Sequence, residues 1–433
     1  MLSLRENILL GTGSGHVFLI DDSHEKPERI IGRKLSVLLC YLLTAPSEEA
    51  CREALQQAGI CYSKEEIRKL EIYFIKKFPG AFSQGSNEGS QRHGAVAKMR
   101  IESGSCQNDR LSFFRLDYPV HLIYVPTWRC NRSCRYCGVP KTRDGEKIPE
   151  DLLIERLTEA SKKGLQKLDI HGGEPLYYAF EKTEHLVAAM KQAEVKTYVS
   201  TKNLVTAEMA ERLRKAGLDC IQLSLDTIDT SQAQMLGYPD GYLDFFNRSL
   251  ENIRRENIPI SVNVVVSQEN EKGLEKLITF LKEKNIEMIT LSPLRKTDKV
   301  GLHEVKEEKK EYLNQKLSKF GMRIPVSEPG QRPICEAGRN GFLILPNGEC
   351  AFCDFIADLP EFRFGDIKTS TVEEIWNDPK LLELTFPSKE RLAEKCRSCE
   401  QNEICRSRGF CYVNQDFRGK VKEDRFCLKG WGR

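Results

Sequence analysis

Apolar residues first gather in two short runs, Ile8-Leu9-Leu10 and His16-Val17-Phe18-Leu19-Ile20, on either side of Gly11-Thr12-Gly13-Ser14-Gly15. That spacing predicts a β-hairpin. Helical periodicity follows over 35–43, over 48–58 behind the start signal Pro46-Ser47, and over 64–78 behind Ser63. Two strands and three helices outline a winged-helix-like domain over residues 1–80. The pattern then lapses into polar, Gly/Ser-rich text such as Gln84-Gly85-Ser86-Asn87-Glu88-Gly89-Ser90. Such a composition buries too little apolar surface to fold alone, so 81–112 read as a flexible linker.

From 113 to 325 strand and helix patterns alternate. Strands are expected at 121–126, 167–171, 196–200, 220–225, 259–266 and 287–294, with helices at 150–163, 182–192, 206–216, 242–255 and 273–284. Gly164 and Gly217 supply C-terminal stops. Six strands with helical crossovers make an α/β parallel sheet, either a partial barrel or an open doubly wound layer. In both, chemistry gathers at the carboxyl ends of the strands. Over 326–433 the periodicity breaks up and cysteines dominate, which predicts a loop-rich unit organised by metal.

Composition narrows the function classes. A chain of 433 residues has room for two to four domains. Its 66 basic and 63 acidic residues leave a net charge of +3, too balanced for a nucleic-acid partner held by counterion release. No stretch approaches the roughly 18 apolar residues of a membrane span, and MLSLRENILL is too short and too acidic for a secretory signal. A cytoplasmic protein with no membrane partner is expected. The 16 cysteines are then reduced thiols, and metal is their expected ligand. Eleven fall in three groups: Cys130, Cys134 and Cys137; Cys335, Cys350 and Cys353; Cys396, Cys399, Cys405, Cys411 and Cys427. The scattered Cys40, Cys51, Cys61, Cys106 and Cys220 read as packed or surface residues.

Directly after the first expected barrel strand, Cys130-Asn131-Arg132-Ser133-Cys134-Arg135-Tyr136-Cys137 crowds three thiols into eight residues. Thiolates select iron-sulfur clusters or zinc, and three of them leave one iron of a 4Fe-4S cluster open to a small molecule. A structural zinc site completed by a distant histidine is the alternative. The run resembles the C-x3-C-x-aromatic-C motif of the radical S-adenosylmethionine (SAM) superfamily, with Tyr136 in the aromatic place. The resemblance implies a partial (β/α)6 TIM-like barrel and a cluster whose open iron chelates SAM. It also implies reductive cleavage of SAM to a 5′-deoxyadenosyl radical that takes hydrogen from carbon. The next strand ends in His171-Gly172-Gly173-Glu174-Pro175. The resemblance assigns Gly172, Gly173 and Glu174 to the SAM amine. Ser200-Thr201-Lys202-Asn203 stands where relatives carry Thr-Asn-Gly, and Ser224-Leu225-Asp226 resembles their ribose-contacting strand. Ser200, Thr201, Ser224 and Asp226 are therefore further SAM-site candidates, with strand-terminating polar residues as the plain alternative.

Cys335 is followed by twelve residues, Gly348, four residues and Cys353, and then by Cys396-x2-Cys399-x5-Cys405-x5-Cys411 and Cys427. This resembles the SPASM extension of peptide-modifying radical SAM enzymes, with x5 in place of x3 before Cys411. Two auxiliary 4Fe-4S clusters are implied. Cys335, Cys353 and Cys411 would hold the first, with Cys350 as a fourth-ligand candidate; Cys396, Cys399, Cys405 and Cys427 would hold the second. Zinc is the alternative here too. Arg406, Arg408 and Lys420 are candidate counter-charges.

The N-terminal outline resembles the peptide-recognition element of maturases that act on ribosomal peptides, which adds a leader peptide as a strand beside its hairpin. DNA binding, the rival for a winged helix, fits poorly, because residues 1–80 carry eleven Lys/Arg and eleven Asp/Glu. The expected activity is therefore crosslinking, thioether or carbon-carbon, of a precursor peptide with a leader. An external electron donor of flavodoxin or ferredoxin type would supply the reducing electron. Oxidation of a residue in a folded protein such as a sulfatase, and a non-enzymatic metal-binding regulator, are the alternatives.

Overall fold

The computed structural model describes residues 2–5, 8–13, 16–21, 28–29, 33–45, 47–57, 61–84, 115–138, 145, 147–294, 301–324, 335–412, 427 and 429. The expected hairpin is present as β2 (Ile8–Gly13) and β3 (His16–Asp21), and β4 (Glu28–Arg29) extends it in the order β2-β3-β4. Helices Arg33–Thr44, Glu48–Gln57 and Lys64–Lys77 follow. Ser63 starts the third through a capping box, its hydroxyl accepting from Glu66 N while Glu66 accepts from Ser63 N. β1 (Leu2–Leu4) pairs antiparallel with β5 (Phe82–Gln84). The expected linker therefore begins later than residue 81: Ala81 and Phe82 are buried, and the remainder of 81–112 lies outside the described residues.

Alternation along the hairpin serves two cores. Ile8, Leu10, Val17 and Leu19 pack with the three helices, whereas Leu9, Phe18 and Ile20 pack into the core of the barrel. Strand side chains alternate between faces, so a two-sided apolar strand can weld one unit to another. The weld is reinforced by Gln166, whose Oε1 accepts from Leu10 N at 3.1 Å and whose Nε2 donates to Leu10 O at 2.7 Å.

The six expected barrel strands are β6 (His121–Tyr124), β7 (Lys167–Ile170), β8 (Lys196–Thr201), β9 (Cys220–Ser224), β10 (Ile260–Val266) and β11 (Met288–Pro293). All pair parallel in chain order. Helices Glu150–Lys163, Phe180–Gln192, Ala207–Ala216, Tyr242–Arg255 and Leu274–Glu283 make the crossovers. Gly164 and Gly217 cap two of them at positive φ, as the sequence predicts.

The final quarter adds strands that the sequence reading did not foresee. β12 (Gly341–Ile344) pairs parallel with β6 on the side away from β7, and β13 (Glu349–Ala351) and β14 (Arg363–Asp366) continue the sheet antiparallel. The result is an open nine-stranded sheet, ordered β11-β10-β9-β8-β7-β6-β12-β13-β14. Gly341 makes the junction, since a Cβ there would lie 1.6 Å from His121 O. Phe342, Phe362, Phe364, Leu381, Leu384 and the fully buried Trp376 join the barrel core. Trp376 Nε1 donates to Leu116 O at 3.1 Å, and the Arg115 guanidinium lies 3.9 Å over its ring. Residues 341–385, inside the region expected to be loop-rich, thus contribute three strands and several buried side chains to the sheet and its core.

Candidate functional site

The cysteine loop leaves the carboxyl end of β6 and is held against the loop that leaves β7. Gly173 N donates to Thr127 O and Glu174 N to Arg129 O, each at 2.9 Å. Only glycine allows this approach at 173, where a Cβ would lie 2.2 Å from Arg129 O; Gly172 has φ +130, and its Cβ would meet Val125 at 2.4 Å. A third close approach comes from Gly237, at φ +81, whose Cβ would meet Ser133 O at 2.2 Å. Asn131 and Asn203 exchange side-chain amide hydrogen bonds at 2.8 and 3.2 Å, which fastens the loop to the end of β8. Cys130, Cys134 and Cys137 are all half-buried. Arg132 N points at Cys130 Sγ from 3.4 Å. Burial lifts the Cys130 thiol above its ordinary pKa, and Glu174, Cys134 and Cys137 push it the same way, so these groups share one neighbourhood.

Glu174 is 2% exposed. Its Oε1 accepts from Thr201 Oγ1 at 2.6 Å and its Oε2 from Lys202 N at 3.1 Å. Burial raises its pKa above the ordinary carboxyl value, opposed by those two donors and by Arg132. Beside it, a small open cleft lies at the ends of β8 and β9. Arg132, Thr201, Lys202, Ser224, Tyr242 and Phe245 line it.

Two candidates are placed differently from expectation. Ser200 turns away from the cleft to donate to Gln222 Oε1 at 3.1 Å. Asp226 is 1% exposed and already occupied: Oδ2 accepts from Tyr136 OH at 2.6 Å, Tyr238 OH at 2.7 Å and Lys202 Nζ at 2.9 Å, while Oδ1 accepts from Val265 N at 2.8 Å. A carboxylate with four donors is a structural hub and has little capacity left for a ribose. Tyr136 belongs to the same hub and also accepts from Lys202 Nζ. Lys202, Tyr238 and the Asn131–Asn203 pair were not named as site members; Asn131, Lys202 and Asn203 stand inside the two segments quoted above, whereas no motif marks Tyr238.

The second cysteine set is brought together in part. Gly409, at φ +86, would place a Cβ 3.1 Å from that of Cys335, and the rings of Phe352 and Tyr412, neighbours of Cys353 and Cys411, meet at 5.6 Å. Cys350 differs. It is fully buried in β13, its thiol directed to Gly348 O at 3.9 Å, and burial holds its pKa well above the ordinary value. Cys396 and Cys399 are joined by one turn, with Cys399 N donating to Cys396 O at 3.3 Å, and Cys405 follows within helix Asn402–Arg408. Cys427 is half-buried. Arg406 Nε donates to Pro387 O at 2.9 Å; the Arg408 side chain and Lys420 lie outside the described residues. Among the described residues no three His, Cys, Asp or Glu side chains converge as ligands of a single metal ion would. The thiolates of a four-iron cluster each bind a different iron and do not need to.

The family model described as the radical SAM superfamily matches residues 124–281, and that described as the SPASM iron-sulfur cluster-binding domain matches 335–400. The chain belongs to the radical SAM superfamily. It is an enzyme of that superfamily with a SPASM domain, and its cofactors are a 4Fe-4S cluster and SAM. The donor set fits them: soft thiols on a glycine-tightened loop, an N–H aimed at sulfur, and a buried carboxylate beside them. The PqqA peptide cyclase of Granulibacter bethesdensis is 25% identical over 324 residues, covering 68% of this chain and 84% of that protein. A probable GTP 3′,8-cyclase of Pyrococcus abyssi is 30% identical over 169 residues, covering 38% of this chain and 54% of that protein. Among solved structures, Streptococcus suis SuiB bound to SAM superposes with a TM-score of 0.68 at 19% identity, over 98% of this chain and 99% of that one. Native anSMEcpe with bound SAM gives 0.53 at 18% identity, over 70% and 92%. Both likenesses show the radical SAM fold.

Proposed function

We propose that this radical SAM/SPASM enzyme installs a crosslink, thioether or carbon-carbon, in a ribosomally made precursor peptide. The observation that carries the reading is the N-terminal sheet. One edge, β2, is closed by Gln166 and packed on the barrel, while among the described residues the β4 edge carries no further strand. An extended leader peptide adding there would be held by main-chain hydrogen bonds. PqqA peptide cyclases share the sequence pattern over two thirds of this chain, and SuiB, which shares the fold along nearly all of it, has been solved with its precursor peptide SuiA. Oxidation of a residue in a folded protein would leave the N-terminal unit without a task.

In this reading Cys130, Cys134 and Cys137 hold the cluster, which when reduced supplies the electron that splits SAM. Gly172 and Gly173 let backbone approach the methionine portion, and Glu174, oriented by Thr201 and Lys202, accepts from its ammonium. Ser224 faces the ribose across the cleft. Arg132, Tyr242 and Phe245 would keep water from the cleft. Cys335, Cys353 and Cys411 hold one auxiliary cluster and Cys396, Cys399, Cys405 and Cys427 a second, with the core-packed Cys350 left out. A flavodoxin- or ferredoxin-type donor supplies the electron, and the reaction takes place in the cytoplasm.

The test uses protein purified without oxygen. About twelve irons per chain, four for each cluster, and 5′-deoxyadenosine that disappears when Cys130, Cys134 and Cys137 are all changed to Ala are expected. With the precursor peptide, the product should be lighter by two hydrogen atoms. Zinc in place of iron, or no deoxyadenosine, would remove the reading.

A further inference from the structure

The Ser200-Thr201-Lys202-Asn203 segment matches Thr-Asn-Gly only in part, and its lysine is enclosed. Its side chain is 11% exposed, with Nζ 2.9 Å from Asp226 Oδ2. The ammonium also donates to Tyr136 OH and lies 4.7 Å from the Tyr136 ring centroid and 4.3 Å from that of Tyr238. Burial opposes its charge, yet Asp226 and the two phenol groups hold its pKa well above the ordinary value. The same residue's backbone N donates to Glu174 Oε2 at 3.1 Å. One residue therefore touches both halves of the site: its main chain orients the carboxylate beside the cleft, and its side chain grips Tyr136, the neighbour of Cys137. Asp226 and Val265 anchor that grip to β10, so the side chain cannot shift without disturbing either half.

We propose that Lys202 is a positioning residue that couples the orientation of Glu174 to the seating of the cysteine loop, so that SAM binding and cluster binding reinforce one another. The inference rests on the assignment of Glu174 to the SAM ammonium made above. Coupling of this kind is reciprocal: whatever the seated loop adds to SAM affinity, bound SAM adds to cluster retention.

The experiment uses the full-length enzyme reconstituted with iron and sulfide. It compares wild type, Lys202→Met, Tyr136→Phe and the double variant. For each, the SAM dissociation constant, the rate of iron loss to a chelator with and without SAM, and the change SAM induces in the electron paramagnetic resonance spectrum of the reduced protein are measured. Each single variant is expected to loosen SAM roughly tenfold, the scale of one lost charge-assisted hydrogen bond. It should also lose the protection SAM gives against iron loss and show a smaller SAM-induced spectral change. The double variant should be no looser than the looser single, because both cut one link. Wild-type SAM affinity and protection in both singles would overturn the proposal, as would losses that multiply in the double. Should Lys202→Met fail to fold, Tyr136→Phe, which deletes one oxygen, decides alone by the same readouts. A wild type in which SAM changes neither spectrum nor iron loss would instead overturn the assignment of the site, and this inference with it.

Discussion

At the scale of single residues, one close approach sets how the cysteine loop lies against the Gly172-Gly173-Glu174 turn. A methyl group at position 173 would overlap Arg129 O. Gly173→Ala is expected to cost about 1–3 kcal/mol, the range for overpacking a tight site, read as a lower unfolding midpoint and faster loss of iron. Glu174 supplies a pH signature. Burial keeps its pKa above the ordinary value of about 4.3, and only the ionised carboxylate attracts an ammonium. As pH falls from neutral toward the raised value the proton is taken up and SAM affinity should weaken, at a higher pH than an exposed glutamate would show. In Glu174→Gln, affinity should be low and flat; calorimetric titration at several pH values checks both. The candidates in the Cys130–Cys137 loop and in Gly172-Gly173-Glu174 could be picked out of the sequence because they stand in contiguous residues. The hub could not: Tyr136 meets Lys202 and Asp226 across 66 and 90 positions, and only the register of β8 and β9 brings them together.

At the scale of elements, the N-terminal hairpin does two jobs with one alternating pattern. Its two apolar runs around a Gly-rich turn identified the strands, but both faces are apolar, so the pattern alone did not say that one face belongs to another unit's core. Gln166 is the polar counterpart of that weld. Gln166→Ala should cost about 1–3 kcal/mol, because Leu10 N and O would lose their partners at a partly buried edge. The expected readout is earlier proteolysis of the N-terminal unit, with SAM cleavage in the absence of peptide unchanged. The short β1–β5 pair escaped sequence reading because three-residue strands carry too few positions to establish a period.

At the scale of the whole molecule, the sheet belongs to two sequence regions at once. The alternating pattern over 113–325 correctly announced six parallel strands. The cysteine spacing over 335–427 drew attention away from Gly341–Ile344, an apolar run buried on both faces and paired to β6. A chain ending at residue 330 would leave the β6 edge bare, and such edges recruit other chains. That truncation is expected to aggregate even though every strand of the barrel is present, and light scattering against the full-length protein checks it.

β12 also has a consequence for how the protein is made. Arg115 and Gly338, joined at the β6–β12 junction, stand 223 positions apart. While the ribosome is still reading the barrel region, the strand that will lie beside β6 has not been polymerised, and closing so distant a contact is slow. The nascent sheet waits with its first strand uncovered, and the last quarter of the message determines when it is shielded. Pausing or premature termination in that stretch should therefore engage chaperones more strongly than the same event earlier in the gene.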